Sequence, residues 1–308
     1  MLLRVTHKTH YDYNPAVETA QHLAHLQPRA TPAQEVLNRQ LTITPIPVWQ
    51  TVRQDIFGNT QTFFALQGRH QALTVLATSE VRTREHRMPA VSSLSWELAV
   101  DSFRFRKNAI CDLAAEFTFA SPHVPKHDDF LTYARPSFQP QAPLVSAVTD
   151  LMNRIHQDFA YVSDSTDINT PARDALASRH GVCQDFAHVM LACLRTLGLP
   201  ARYISGYVLT TPPAGQPRLI GSDASHAWVS VYLPNAQGLG GATDGIWIDF
   251  DPTNNRCGLG SPGEDYVMLA MGRDFSDVSP IRGVIHGGSH HTLNVAVTVE
   301  PLHHDSAF

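Results

Sequence analysis

Phe186, Val189, Met190, Cys193, Leu194 and Leu197 recur at three- and four-residue intervals, and the run stops at Gly198 and Pro200. That spacing predicts an amphipathic core helix opening near Cys183, because side chains three and four apart share one helix face and a glycine followed by a proline ends it. Strand-like segments follow at 201–209, 227–233 and 246–250, separated by loops rich in Gly, Pro, Ser and Asn. The order is helix first and strands afterwards.

The remainder divides around that core. Residues 1–85 favour strands, with turn signals at Asn14-Pro15, Pro28, Pro45-Ile46-Pro47 and Phe57-Gly58-Asn59, so short antiparallel strands in a β-sandwich-like domain are expected. Residues 86–142 form a proline-rich connector with a short helix or two near Trp96 to Ala115. The core is assigned to 143–303, opening on a helix through Leu144, Val148, Leu151, Met152 and Ile155. It closes on one strand through Leu293, Val295, Val297 and Val299. With 43% hydrophobic and 17% charged residues, 308 residues can bury two modest cores.

Charge and cysteine usage narrow the function classes. The net charge is -5 and the basic residues are scattered or in short groups such as Arg104, Arg106 and Lys107, which gives no nucleic acid surface. No apolar run reaches about 18 residues and Met1 to Tyr11 lacks a signal-peptide pattern, so a cytoplasmic protein with no membrane partner is expected. Cys111, Cys183, Cys193 and Cys257 lie far apart and read as thiols. His290-His291 and His303-His304 lack the companion ligands of a metal site and read as surface histidines.

Cys183 follows Arg179-His180-Gly181-Val182 and opens the predicted helix, where unpaired backbone N–H groups and the positive dipole end favour a thiolate. A lone cysteine at a helix start is more often a small apolar filler; its company decides. His226, at the mouth of the strand Ala227-Trp228-Val229-Ser230-Val231, offers an imidazole to hold and return a proton. That base needs an acceptor for its other nitrogen. Asp249 and Asp251 share one face of the 246–250 strand, and Asp251, beside Pro252 at the strand end, is the first choice, with Asp249 as substitute. Tyr161 is a candidate oxyanion or pocket residue, equally suited to packing. His188, five positions beyond Cys183, points away from the sulfur and reads as structural. Asp185 suits the helix dipole but would oppose thiolate formation unless bonded elsewhere.

Taken together, Gly181-Val182-Cys183-Gln184-Asp185-Phe186-Ala187-His188, the 197–207 run Leu-Gly-Leu-Pro-Ala-Arg-Tyr-Ile-Ser-Gly-Tyr, Ser225-His226-Ala227-Trp228 and Asp251-Pro252-Thr253-Asn254 resemble the bacterial transglutaminase-like family. Tyr11-Asp12-Tyr13-Asn14-Pro15, Leu26-Gln27-Pro28-Arg29 and Asp55-Ile56-Phe57-Gly58-Asn59 resemble the β-rich domain that precedes its core. Gly272-Arg273-Asp274-Phe275-Ser276-Asp277-Val278 resembles its C-terminal end. The resemblance implies a papain-like α+β core and a Cys-His-Asp triad at Cys183, His226 and Asp251. It further implies acyl transfer from an amide or peptide bond of a protein or peptide substrate through a thioester. Hydrolysis, as by a cysteine protease or amidase, is the first expectation, and transfer to an amine, as by a protein-glutamine transglutaminase, the alternative. A non-catalytic protein-binding module with the same fold is the rival of another class. No H-E-x-x-H cluster, phosphate cradle or EF-hand loop is present, so no cofactor or metal is expected.

Overall fold

A computed structural model describes residues 1–84, 94–104, 107, 112–163, 169–210, 225–234, 245–288 and 290–302. Arg106, Cys111 and the His303-His304 pair lie outside them.

In chain order the N-terminal strands are β1 (Leu2–Gln27), β2 (Gln34–Thr44), β3 (Trp49–Gln54) and β4 (Thr60–Thr83). Two of these, of 26 and 24 residues, replace the short strands expected from the turn signals. Asn14-Pro15 lies where the β1–β4 register shifts between Asp12 and Val17, so the proline is absorbed as an irregularity within one strand, where its missing N–H costs no ladder bond.

The middle of the chain is helical: α1 (Trp96–Ser102), a 3-10 turn (Leu113–Thr118), α2 (Asp128–Ala134) and α3 (Leu144–Asp158). α3 buries Leu144, Val148, Leu151, Met152 and Ile155, the stripe expected from their spacing. Next come β5 (Ala160–Tyr161), α4 (Ala172–Ser178), β6 (His180–Gly181) and α5 (Cys183–Thr196). α5 is buried on every side from Asp185 to Arg195, which makes it a central helix rather than an amphipathic one.

β7 (Ala201–Val208), β8 (Ser225–Leu233), β9 (Ile246–Asp251), β10 (Arg256–Leu259) and β11 (Tyr266–Gly272) form a five-stranded antiparallel sheet in the order β10-β9-β8-β7-β11. Ala227, Val229, Val231, Ile248 and Phe250 pack from this sheet into one core with Phe186, Val189 and Met190 of α5. After α6 (Phe275–Val278) the chain ends in β12 (Ile281–Gly287) and β13 (His290–Pro301). Both pair with β1, so the closing strands, grouped by sequence with the core, extend the N-terminal sheet. That six-stranded antiparallel sheet encloses its own core, with Ile43, Val75 and Ala77 meeting Ala20, Ala24 and Phe64.

The two units are joined by an apolar seam of Leu3, Val5, Val81, Val297 and Val299 against Tyr207, Val267 and Leu269. Two side-chain amides add to it. Gln34 accepts from Met268 N–H at 2.8 Å and donates to its carbonyl at 2.7 Å, and Asn59 does the same to Met271 at 2.9 and 2.7 Å. Each amide imitates a neighbouring strand along the open edge of β11. At the far end of α5, the fully buried Arg195 donates to the carbonyls of Ala201 and Arg273 and to Ser121, locking the helix to the segment that leads into α6.

Candidate active site

Gly181 and Asp185 set the entry into α5. A Cβ on Gly181 would lie 2.5 Å from Asp185 Oδ2 and 2.8 Å from its Cβ, so only glycine leaves room for that carboxylate. Asp185 Oδ2 accepts the Val182 N–H at 2.8 Å, satisfying a donor at the helix start and binding the carboxylate away from free solution. Cys183 is the first helical residue, and its side chain is partly exposed.

Tyr161 stands beside this entry. The two-residue parallel ladder of β5 with β6 sets Tyr161 opposite Gly181, and Val162 N–H donates to the Gly181 carbonyl at 3.0 Å. The Tyr161 ring lies edge-on to Phe186 at 6.3 Å and is about half exposed. Burial and the neighbouring Cys183 raise its phenol above the usual range.

His226 opens β8 and is nearly buried. Its Nε2 is 2.7 Å from Asp251 Oδ2, and Cys183 lies close enough to the ring to shift its titration. Burial alone would keep the ring neutral, but the hydrogen bonds to Asp251 and Cys183 and their charges outweigh it and push the imidazole up to about 10. Asp251 ends β9 fully buried, yet every lone pair is used. Oδ2 accepts from Tyr266 at 2.7 Å and from Asn254 Nδ2 at 2.8 Å as well as from His226, and Oδ1 accepts the Thr253 and Asn254 N–H groups at 2.9 and 3.2 Å. Burial raises a carboxyl, but these donors win and hold Asp251 below the ordinary value.

The structure therefore sets His226 on Asp251 through a hydrogen bond and within electrostatic reach of Cys183, with Tyr161 at the margin. Asp249 takes a different partner, accepting from Trp228 Nε1 at 2.9 Å. His188 is buried, accepts the Phe275 N–H at 3.3 Å and stacks on His123 at 5.2 Å, so it serves packing. Sequence reasoning assigned no role to Asn254 or Tyr266. Asn254 lies inside the Asp251-Pro252-Thr253-Asn254 motif, which carried a local signal, whereas Tyr266 sits on a strand that the sequence left unassigned.

Comparison with known proteins gives the family. Residues 3–82 match the bacterial transglutaminase-like N-terminal region and residues 132–252 the transglutaminase-like superfamily. An uncharacterised protein of Mycobacterium tuberculosis is 37% identical over 308 residues, covering 98% of this chain and 94% of that one. The chain belongs to the transglutaminase-like superfamily. An uncharacterised protein of Mycobacterium leprae is 30% identical over 97% of this chain and 99% of that one. A protein-glutamine gamma-glutamyltransferase of Pseudomonas aeruginosa is 35% identical over 123 residues, which cover 37% of this transglutaminase-like chain and 16% of that protein. The fold is shared with a crystal structure described as a putative cysteine protease from Cytophaga hutchinsonii. The TM-score is 0.70 at 22% identity, over 99% of this chain and 92% of that one. Membership of the transglutaminase-like superfamily supports an enzyme of the cysteine-dependent kind.

Proposed function

We propose that this transglutaminase-like protein cleaves amide or peptide bonds of a protein or peptide substrate by acyl transfer through a thioester on Cys183, with water as the usual acceptor. The single observation that carries the reading is His226, held at 2.7 Å by a buried Asp251 carboxylate and set within electrostatic reach of the Cys183 thiol. In the first step the Cys183 sulfur attacks the carbonyl carbon, and the backbone N–H of Cys183, free at the helix start, donates to the oxyanion. His226 gives its proton to the departing amine nitrogen, the C–N bond breaks and the thioester remains. Water, losing a proton to His226, then attacks the thioester and releases an acid and the thiol. Asp251 holds the ring in the tautomer that serves both steps. Tyr161, half exposed beside Cys183, is positioned to line the acyl pocket or to supply a second oxyanion donor.

Transfer to a primary amine is the second reading, favoured by the local likeness to the Pseudomonas gamma-glutamyltransferase. Intact-mass measurement on glutamine-containing peptides, with and without a primary amine and with Cys183→Ala as control, decides between them. An acyl adduct on Cys183 that decays to free acid with amine present supports hydrolysis; an amide product supports transfer. No adduct on any candidate, together with a Cys183 no more reactive to iodoacetamide than Cys257, would leave a binding module as the better reading.

A further inference from the structure

Most donors to Asp251 are local. Thr253 and Asn254 belong to the turn that follows β9, and His226 lies on the neighbouring β8. Tyr266 comes from further off. Strands β8 and β7 separate its strand, β11, from β9, so the phenol crosses the sheet face that carries Trp228, opposite the face packed on α5, to donate to Asp251 Oδ2 at 2.7 Å. A buried phenol needs an acceptor, and a backbone carbonyl would have served. What gives this contact chemical weight is the oxygen it meets, because Oδ2 is also the atom that holds His226.

A donor on Oδ2 stabilises the carboxylate most when the imidazole is neutral and no cation shares the charge. Tyr266 therefore loosens the hold of the His226–Asp251 pair on its proton, the proton that a departing amine must receive. The ionisable groups facing the ring are Cys183 from α5 and Asp251 from β9; Arg256 from β10 and Tyr266 from β11 act on it through Asp251. Against burial, Asp251 and Cys183 already favour the charged ring, so a group that eases their hold serves proton return.

Tyr266 is in turn fixed from the N-terminal unit. Its ring lies edge-on to Trp228 at 5.4 Å and beneath the Arg256 guanidinium at 4.9 Å, which Asp265 holds at 2.6 and 2.7 Å. Its backbone is gripped on both sides. Thr83 Oγ1 donates to the Glu264 carbonyl at 2.5 Å, Gln34 bonds both backbone groups of Met268, and Val267 packs with Leu3, Val5 and Val81.

We propose that Tyr266 is a positioning residue of the acyl-transfer site, and that the N-terminal unit sets the His226–Asp251 pair through it. The purpose of this device rests on the acyl-transfer reading, but the device is tested without turnover. The experiment is an NMR titration of His226 in the full chain, isotope-labelled at histidine and carrying Cys183→Ala, with the signal assigned by its loss in His226→Gln. With the thiol gone, failure here leaves the acyl-transfer reading standing, and an inert Cys183 would leave this titration unaffected. Tyr266→Phe keeps the ring and its packing, and is expected to raise the His226 midpoint by about 0.5–1 pH unit. A hydroxyl that merely satisfied a buried phenol would change the melting temperature and leave that midpoint in place. Thr83→Val combined with Gln34→Leu frees the backbone on either side of Tyr266. It is expected to raise the midpoint by a smaller amount, and to add nothing once Tyr266→Phe is present. An unmoved or lowered midpoint in a folded Tyr266→Phe protein would overturn the proposal. So would Thr83→Val with Gln34→Leu giving no shift, or a shift that persists when the phenol is gone.

Discussion

At the scale of single residues, the decisive competition is within His226, where burial opposes a charge that two neighbours demand. The neighbours prevail, so the folded-state value, about 10, stands above the ordinary 6.5. By linkage, the stability that His226 contributes is fully present below about 6.5 and is lost as pH rises through about 10. Calorimetric melts of wild type and His226→Gln are therefore expected to differ most near pH 6 and to converge towards pH 10; a gap that stays constant across that range would refute the assignment of the proton. Asp251→Asn keeps the shape of the site but cannot hold the same tautomer, and is expected to slow acylation by about three to four orders of magnitude. Asp249→Asn, whose partner is Trp228, is expected to stay within a few-fold of wild type in the same mass-detected acylation assay. The sequence alone ranked these two carboxylates without separating them, because alternation puts both on one strand face. What separates them is a long-range fact, the partner each meets across the sheet. Cys183 and His226 were legible because each sits at the terminus of an element whose pattern is strong. Tyr266, which holds Asp251 from 15 positions away, left no local trace.

Among elements, α5 was readable and much around it was not, for reasons that lie in periodicity. A helix that is apolar at three- and four-residue spacing declares itself, whereas β11 reads Tyr266-Val267-Met268-Leu269-Ala270-Met271, an unbroken apolar run that suits a buried strand and a helix equally. The turn signal at Asn14-Pro15 divides β1 in the sequence, yet a long strand can carry it where its register shifts. The head of α5 also has its own energetics. Asp185→Ala removes the bond to the Val182 N–H and is expected to cost about 1 kcal/mol. Gly181→Ala drives a methyl into the Asp185 side chain and is expected to cost about 1–3 kcal/mol. The two share one contact, so the double variant should lose less than the sum of the single losses in urea unfolding, since Asp185→Ala withdraws the oxygen that the new methyl strikes. Strict additivity would mean that the clash is relieved elsewhere.

Across the whole molecule, the N-terminal unit acts on the core through β11, an edge strand whose open side it covers. Asp55 prepares one of the contacts: its carboxylate accepts the Phe57 and Asn59 N–H groups at 2.9 and 2.8 Å and the Asn59 side chain at 2.8 Å, fixing the amide that reaches Met271. Gly58, at a φ of +77°, makes that turn possible, and Arg29 clamps it through the Phe57 carbonyl. The motifs Leu26-Gln27-Pro28-Arg29 and Asp55-Ile56-Phe57-Gly58-Asn59 thus contribute to docking, a role invisible in sequence because the partner lies more than 200 positions away. Asn59→Leu leaves the Met271 N–H and carbonyl without their partner, and Gln34→Leu does the same to Met268. Each loss is expected to cost about 1–3 kcal/mol. Because the amides act locally on an edge, the loss should appear first as local opening. Hydrogen exchange followed by NMR should show Met271 N–H losing protection in Asn59→Leu and Met268 N–H in Gln34→Leu, while the buried amides of α5 keep theirs under conditions where only local opening occurs. If α5 exchanges in step with β11 under those conditions, the two units unfold as one, and the edge amides do not act as separate clasps.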